Sequence, residues 1–176
     1  MKLYSFFRSS AAFRVRIALA LKGLPYETVP IHLTRGEHRA EAFRGVNPQR
    51  RVPALVLDDG TVLIQSLAII EYLEEVHPRP PLLPADPGAR ARARILMHYA
   101  DNPYEGAAGA LARELLIKPM QGGVPDQEAA ARARVELDQC LERLERATVE
   151  AIAAKDPHGW LARFATAAAD PISDRR

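Results

Sequence analysis

Apolar residues recur at two different spacings along this chain. Up to about residue 78, short alternating runs are interleaved with helical ones, whereas beyond Pro87 only the helical spacing remains. The clearest pattern lies in the stretch 50–75. Two short apolar runs flank Asp59-Gly60, whose glycine accepts the positive φ that a tight hairpin needs, and this predicts paired strands over 54–57 and 61–64. Pro53 then leads a strand, where a missing N–H does least harm. The bond before it is trans in the ordinary case, or cis, which would turn the backbone of Val52 outward toward a ligand. After the hairpin, Leu67, Ile70 and Leu73, with Ile69 and Tyr72 beside them, have helical spacing behind Ser66 as N-cap. Ile69 stands where a capping box would carry Glu or Gln. The helix start therefore keeps free N–H donors and a positive dipole end, which either is simply capped or can receive an external carboxylate.

Before the hairpin, Lys2 to Phe6 alternates as a first strand. Arg8-Ser9-Ser10 leads into Ala11 to Lys22, a run of helix formers that closes with Gly23. That helix contains no carboxylate to balance Arg14, Arg16 and Lys22, so an anion would be welcome at its start. Leu24-Pro25 breaks the chain, and Thr28, Val29 and Ile31 predict a second strand within 26–33, parallel to the first through the intervening helix. Residues 36–45 are polar, with Phe43 as the apolar anchor, and read as a short helix or a loop ending at Asn47-Pro48. The order β-α-β-α-β-β-α makes a small mixed sheet with helices on its faces, one compact domain over 1–78. Val76 to Pro84 holds four prolines and cannot continue a helix, which predicts an interdomain linker over 79–86. Helical patterns follow at about 89–101, 104–118, 126–153 and 157–169, so the second domain, 87–176, is all-helical.

Composition narrows the function classes. With 48% hydrophobic and 26% charged residues the chain is of ordinary globular type. It contains no apolar run long enough to span a membrane and no signal-peptide layout, which places it in the cytoplasm. A net charge of +2 is too small to argue for a nucleic-acid partner, and Arg90, Arg92 and Arg94 alternate around a helix instead of lining one face. The single cysteine, Cys140, excludes a disulfide framework or a metal cluster of cysteines, and its helical spacing with Leu137, Leu141 and Leu144 makes it a buried filler.

Three stretches carry a resemblance: Tyr4 to Leu19 with its Arg8-Ser9-Ser10-Ala11-Ala12 core, Asn47-Pro48-Gln49-Arg50-Arg51-Val52-Pro53, and Gln65 to Leu73. Together they resemble the zeta-class glutathione transferases, a family that includes maleylacetoacetate isomerase, over nearly all of residues 1–86. The resemblance implies glutathione-transferase architecture: an α/β thioredoxin-like domain that binds glutathione, followed by an all-α domain. It also implies a homodimer. Val52 would precede a cis proline and pair its backbone with the cysteinyl part of glutathione, and Gln65 and Ser66 would hold the γ-glutamyl carboxylate. Ser10, with Ser9 beside it, matches the position whose hydroxyl donates to the glutathione sulfur. Such a donor matters because a free thiol has a pKa of about 8.5, and each unit of depression corresponds to about 1.4 kcal/mol. Arg14 adds positive potential nearby, and His38 matches a loop residue that contacts glutathione. Arg8 is a candidate for pairing with a substrate carboxylate, or is a solvated surface arginine.

The activity implied is addition of the glutathione thiolate to a small electrophilic or dicarboxylate substrate, as transferase or as cis–trans isomerase of a maleyl-type diacid, with no metal. The alternative is a non-catalytic binding or regulatory protein on the same fold. Ala11 and Ala12 stand where the family carries a cysteine and a further serine, so any help that cysteine gives to isomerisation is missing, while thiolate activation by Ser10 is untouched. Around Arg113 to Gly123 the chain looks more like other bacterial glutathione transferases. After Glu150 it passes almost directly to Trp160-Leu161-Ala162-Arg163-Phe164, which resembles the family's terminal helix, so a central segment of the helical domain is expected to be lacking.

Overall fold

The computed structural model describes residues 1–153, with side chains through residue 146. The described residues form two compact units, Met1–Leu83 and the residues from Pro84 onward.

In the first unit the chain runs β1 (Lys2–Ser5), α1 (Ser10–Leu21), β2 (Glu27–Pro30), 3₁₀ turns at Leu33–Arg35 and Glu37–Arg39, α2 (Glu41–Val46), β3 (Ala54–Val56), β4 (Val62–Ile64) and α3 (Ser66–Val76). The sheet order is β2-β1-β3-β4. β2 lies parallel to β1, as a helical crossover requires, and β3 lies antiparallel to both β1 and β4. The expected hairpin is present. Gly60 has φ 87°, the Leu57 amide donates to the Thr61 carbonyl at 2.9 Å, and the Asp59 carboxylate accepts the Thr61 amide at 2.8 Å. That bond, with the turn's other donors, holds the Asp59 carboxyl below its ordinary pKa.

Leu3 and Leu55 are cross-strand partners and point to one face, where Val15, Ala18 and Leu19 of α1 and Ile69 and Leu73 of α3 complete the larger core. Tyr4 points to the other face and meets Phe43 of α2, with ring centroids 5.8 Å apart. Phe43 is buried, as its isolation in a polar stretch predicts.

Lys22 departs from expectation. Instead of adding an unbalanced charge to α1, it is buried at the C-cap and donates to Glu74 of α3 at 2.7 Å, to the His77 carbonyl at 2.6 Å and to the Pro80 carbonyl at 3.1 Å. Glu74 in turn accepts the amides of Leu82 and Leu83 at 3.0 and 3.1 Å. A buried ion pair is tolerable only when its remaining donors and acceptors are satisfied in this way. The proline-rich stretch up to Leu83 is thereby fastened onto the first unit.

The second unit begins with α4 (Pro87–Tyr99), capped by Asp86, whose carboxylate accepts the Ala89 amide at 2.6 Å, with Pro87 in the first turn. The gap expected between 101 and 104 is absent. Residues Ala100–Tyr104 form a π-helical turn around Pro103, and the helix continues through α5 (Glu105–Ala112), a second π turn (Arg113–Ile117) and α6 (Lys118–Met120). A proline donates no N–H and its ring crowds the preceding turn, and a widened turn relieves both problems without ending the helix. Gly122, at φ 78°, ends the run, and α7 (Gln127–Ala153) packs back along α5 through Ala107, Ala130 and Ala133. Cys140 is buried on the same face of α7, with the Tyr99 hydroxyl 3.7 Å from its sulfur. The helix expected at 157–169 lies outside the described residues.

Candidate functional site

The strand register brings the candidate residues together. Ser5 pairs with Pro30, Tyr4 with Ala54, and Ala54 with Ile64, so the C-terminal ends of β1, β2 and β4 and the N-terminal end of β3 share one end of the sheet. From that end depart the turn carrying Arg8, Ser9 and Ser10, the stretch carrying His38, the approach to Val52, and the start of α3 at Gln65 and Ser66. Beneath them Phe6, Ile31, Phe43 and Val52 form a separate buried cluster. The turn after β1, through Phe6, and the long connection from β2 to β3, through Ile31, Phe43 and Val52, therefore pack into a common floor.

At the first turn, Ser9 is the N-cap of α1, and its hydroxyl oxygen accepts the Ala12 amide at 3.2 Å. An oxygen used as an acceptor keeps its hydrogen free to donate. Ser10 is the first residue of the helix and is exposed, as is Arg8, whose guanidinium lies 5.6 Å from the centre of the Phe7 ring. Arg14 follows Ser10 by four residues, on the same side of the helix.

At the second connection, the Glu37 carboxylate accepts the His32 amide at 2.7 Å, and His38 Nδ1 is buried with no hydrogen-bond partner among the described residues. A buried polar atom left without a partner is costly, and a ligand atom would relieve it.

At the third, the Val52–Pro53 bond is cis, as the resemblance implies, and Val52 is buried. Its backbone makes no hydrogen bond to another described residue, so its N–H and carbonyl remain for a strand-like partner. Asn47 shapes this loop. It is buried, its amide nitrogen donates to the Arg51 carbonyl at 2.6 Å, and its side-chain oxygen accepts the Gln49 amide at 2.9 Å.

At the fourth, the cap of α3 is Gln65 and Ser66 is the first helical residue, one position later in role than the sequence suggests. Gln65 is held at φ 69°, a region that costs a non-glycine residue about 1–3 kcal/mol and persists where its surroundings demand it. In this conformation its side chain makes no cap bond; Nε2 donates instead to the Gln49 side-chain oxygen at 2.7 Å. The first donors of α3 thus stay without a side-chain cap, as the absent capping box predicts. Gln49 was not among the candidates, although its place in the Asn47-Pro48 turn put it within reach.

The donor set fits an extended peptide with a carboxylate at one end and a sulfur near its middle: open backbone at Val52, uncapped N–H groups at α3, hydroxyls at α1 and an unpartnered imidazole nitrogen at His38. Among the described residues no group of three or more His, Cys, Asp and Glu side chains is placed to hold a metal ion.

Comparison with known proteins gives concordant results. Residues 8–76 match the glutathione S-transferase N-terminal domain. The chain is 60% identical over 96 residues to maleylacetoacetate isomerase of Pseudomonas aeruginosa, an alignment covering 53% of this chain and 45% of that protein. It therefore spans less than half the length of the curated relatives it matches. Among solved structures, it resembles a holo maleylpyruvate isomerase described as a bacterial zeta-class glutathione S-transferase, at 41% identity and TM-score 0.67, covering 89% of this chain and 70% of that one. It also resembles maleylacetoacetate isomerase of Methylobacterium extorquens with bound malonate and glutathione, at 41% identity and TM-score 0.69, covering 83% and 67% respectively.

Proposed function

The chain belongs to the glutathione transferase family, in its zeta class, and from that premise we propose that it binds glutathione at the shared end of the sheet and is a glutathione-dependent transferase or isomerase acting on an electrophilic, maleyl-type acid. The observation that carries this reading is the convergence of four stretches on one sheet end, two of them on the connection between β2 and β3, each bringing a group that a tripeptide thiol can use. Bound glutathione would supply a sulfur nucleophile that adds reversibly to an activated double bond. The chain's own residues would do the rest. Val52 holds the cysteinyl backbone, and Gln65 with Ser66 and the start of α3 holds the γ-glutamyl carboxylate. His38 donates to, or accepts from, the peptide through Nδ1. Ser10, with Ser9 beside it, offers a hydroxyl to the sulfur and favours its ionised form, Arg14 adds positive potential, and Arg8 meets a substrate carboxylate.

The domain boundaries follow the same reading: a glutathione-binding domain over 1–78, a linker over 79–86, and a helical domain from 87 that lacks a central segment after Glu150. We place the protein in the cytoplasm, as a homodimer, in aromatic amino acid catabolism. None of the described helices is long and apolar enough to cross a membrane.

The test is isomerisation of maleylacetone and conjugation of chlorodinitrobenzene by wild type, Ser10→Ala and Ser9→Ala. Loss of one hydroxyl donor at the reacting sulfur should reduce turnover by about a hundredfold. Full activity in Ser10→Ala would remove Ser10 from its role, and loss in Ser9→Ala alone would transfer that role to Ser9. Glutathione binding without turnover of either substrate would favour the non-catalytic alternative.

A further inference from the structure

We propose that Arg16 is the positioning residue of the serine turn: its guanidinium ties the end of β1 and the backbone of the turn to α1, and so holds the hydroxyls of Ser9 and Ser10 in place. The inference rests on the reading above, that this turn ionises glutathione. Arg16 follows Ser9 by seven residues and Phe13 by three, so the three lie along one stripe of α1. Helical side chains lean toward the N-terminus, and a long one at position 16 runs back over Phe13 toward the turn. Its guanidinium carbon sits 5.3 Å from the centre of the Phe13 ring. From there Nη1 donates to the Ser5 hydroxyl at 3.2 Å and Nη2 donates to the Phe7 carbonyl at 3.3 Å.

Those two acceptors bracket Phe6, whose carbonyl accepts the Ser9 amide at 2.9 Å. Ser5 is fully buried at the last position of β1, and its carbonyl accepts the Ile31 amide at 2.8 Å, so this end of the brace is anchored in the sheet. The Phe7 carbonyl lies in the turn itself, two residues before Ser9. Besides Arg16, the hydrogen bonds of the turn among the described residues are short-range ones, those of the Ser9 amide and of the N-cap, and Phe6 packs into the floor beneath, so the Arg16 fork is the polar tie between the Phe7 carbonyl and the end of β1. A planar fork with two nitrogens reaches both acceptors from one rigid group, and a lysine ammonium does so only as a mobile point charge. A hydroxyl displaced by part of an ångström loses much of a hydrogen bond to sulfur while leaving the peptide's other contacts intact. The effect of Arg16 is therefore expected on ionisation of the bound thiol more than on affinity.

The experiment follows the ultraviolet absorbance of the thiolate across pH in the glutathione complexes of wild type, Arg16→Gln, Arg16→Lys and Ser5→Ala, with glutathione affinity and melting temperature measured alongside. Wild type is expected to ionise the thiol below its free value of about 8.5, and Arg16→Gln to raise that midpoint by about one unit, about a tenfold loss of thiolate at pH values well below the midpoint. Affinity should change little, Arg16→Lys should recover part of the shift, and Ser5→Ala, which removes one acceptor, should show a smaller rise. A folded Arg16→Gln with the wild-type midpoint and an unchanged pH profile of kcat overturns the proposal, whatever its melting temperature. Should Arg16→Gln not fold, unchanged midpoints in both Arg16→Lys and Ser5→Ala overturn it equally. A wild type that leaves the thiol at its free value sinks the functional reading itself, and this inference with it.

Discussion

The two units bury different things. In the first, large side chains from elements far apart in the chain, Leu3, Leu19, Leu55, Ile69 and Leu73, are fully enclosed. In the second, the buried apolar residues among those described are small, Ala107, Ala130, Ala133 and Cys140, while Met120 and Val124 are 80% and 86% exposed. Fully burying one large aliphatic side chain contributes about 1.5–3 kcal/mol, so the first unit holds itself together by its own core. The second rests on close helix contact, helix propensity and local polar links such as Glu114, which accepts from Lys118 at 2.6 Å and from the Asp126 amide at 2.9 Å. The difference teaches where chemistry can be built. Hydroxyls and open backbone groups that must stay within tenths of an ångström sit on the unit whose core is rigid.

The sharpest way to break this contrast is to remove the charge at the centre of the first unit. Lys22→Met leaves Glu74 buried without its cation and should cost about 3–5 kcal/mol in chemical denaturation, far more than Lys22→Met combined with Glu74→Leu, which leaves no unpaired charge. Equal costs for the single and double variants would show that the pair contributes through packing alone. Next, matched truncations should separate the units. Leu73→Ala in the first core is expected to cost about 2–5 kcal/mol, and Leu116→Ala on the exposed side of the second unit should stay within about 0.5 kcal/mol. A large cost at Leu116 would mean that this side is covered in solution.

The smallest effect is acidic and belongs to the second unit. The hydrogen bond from Lys118, then that from the Asp126 amide, holds the Glu114 carboxyl below the usual glutamate value. Its stabilising contribution is therefore complete above the unfolded pKa and is lost as pH falls through the lower, folded one. Helical signal from this region should fade on acidification below the usual carboxylate range, and Glu114→Gln should flatten that dependence. An unchanged acid profile in the glutamine variant would remove Glu114 from the account.

Most of the first unit could be read from local patterns, because a hairpin, a cap or an amphipathic face is written within a few residues. Asp59-Gly60 needs only its flanking runs to announce a turn, and Ile69 in place of a glutamate already implies an uncapped helix start. The motif residues are short strings too, around Ser9-Ser10, Val52-Pro53 and Gln65-Ser66, but their roles come from the family resemblance, and only the uncapped helix start behind Ser66 is read from the residues themselves. Gln49 escaped notice because its significance depends on Gln65, which reaches it only after the backbone takes a positive φ. The helix through Pro103 escaped because a proline reads as a stop unless a widened turn can absorb it.

What the sequence by itself determined are the elements, with ends one or two residues off: strands expected at 2–6 and 61–64 stand at Lys2–Ser5 and Val62–Ile64, and helices expected from Ala11 and from about 89 open at Ser10 and Pro87. What only the tertiary structure decided is which of them meet. β3 lies between β1 and β4, Lys22 finds Glu74 across 52 positions of chain, and Arg16 reaches back to Ser5 and Phe7. Propensity and periodicity act over one or two turns of chain. The pairing of a buried charge or the shared end of a sheet is set by which arrangement leaves the fewest polar groups unsatisfied in the whole core.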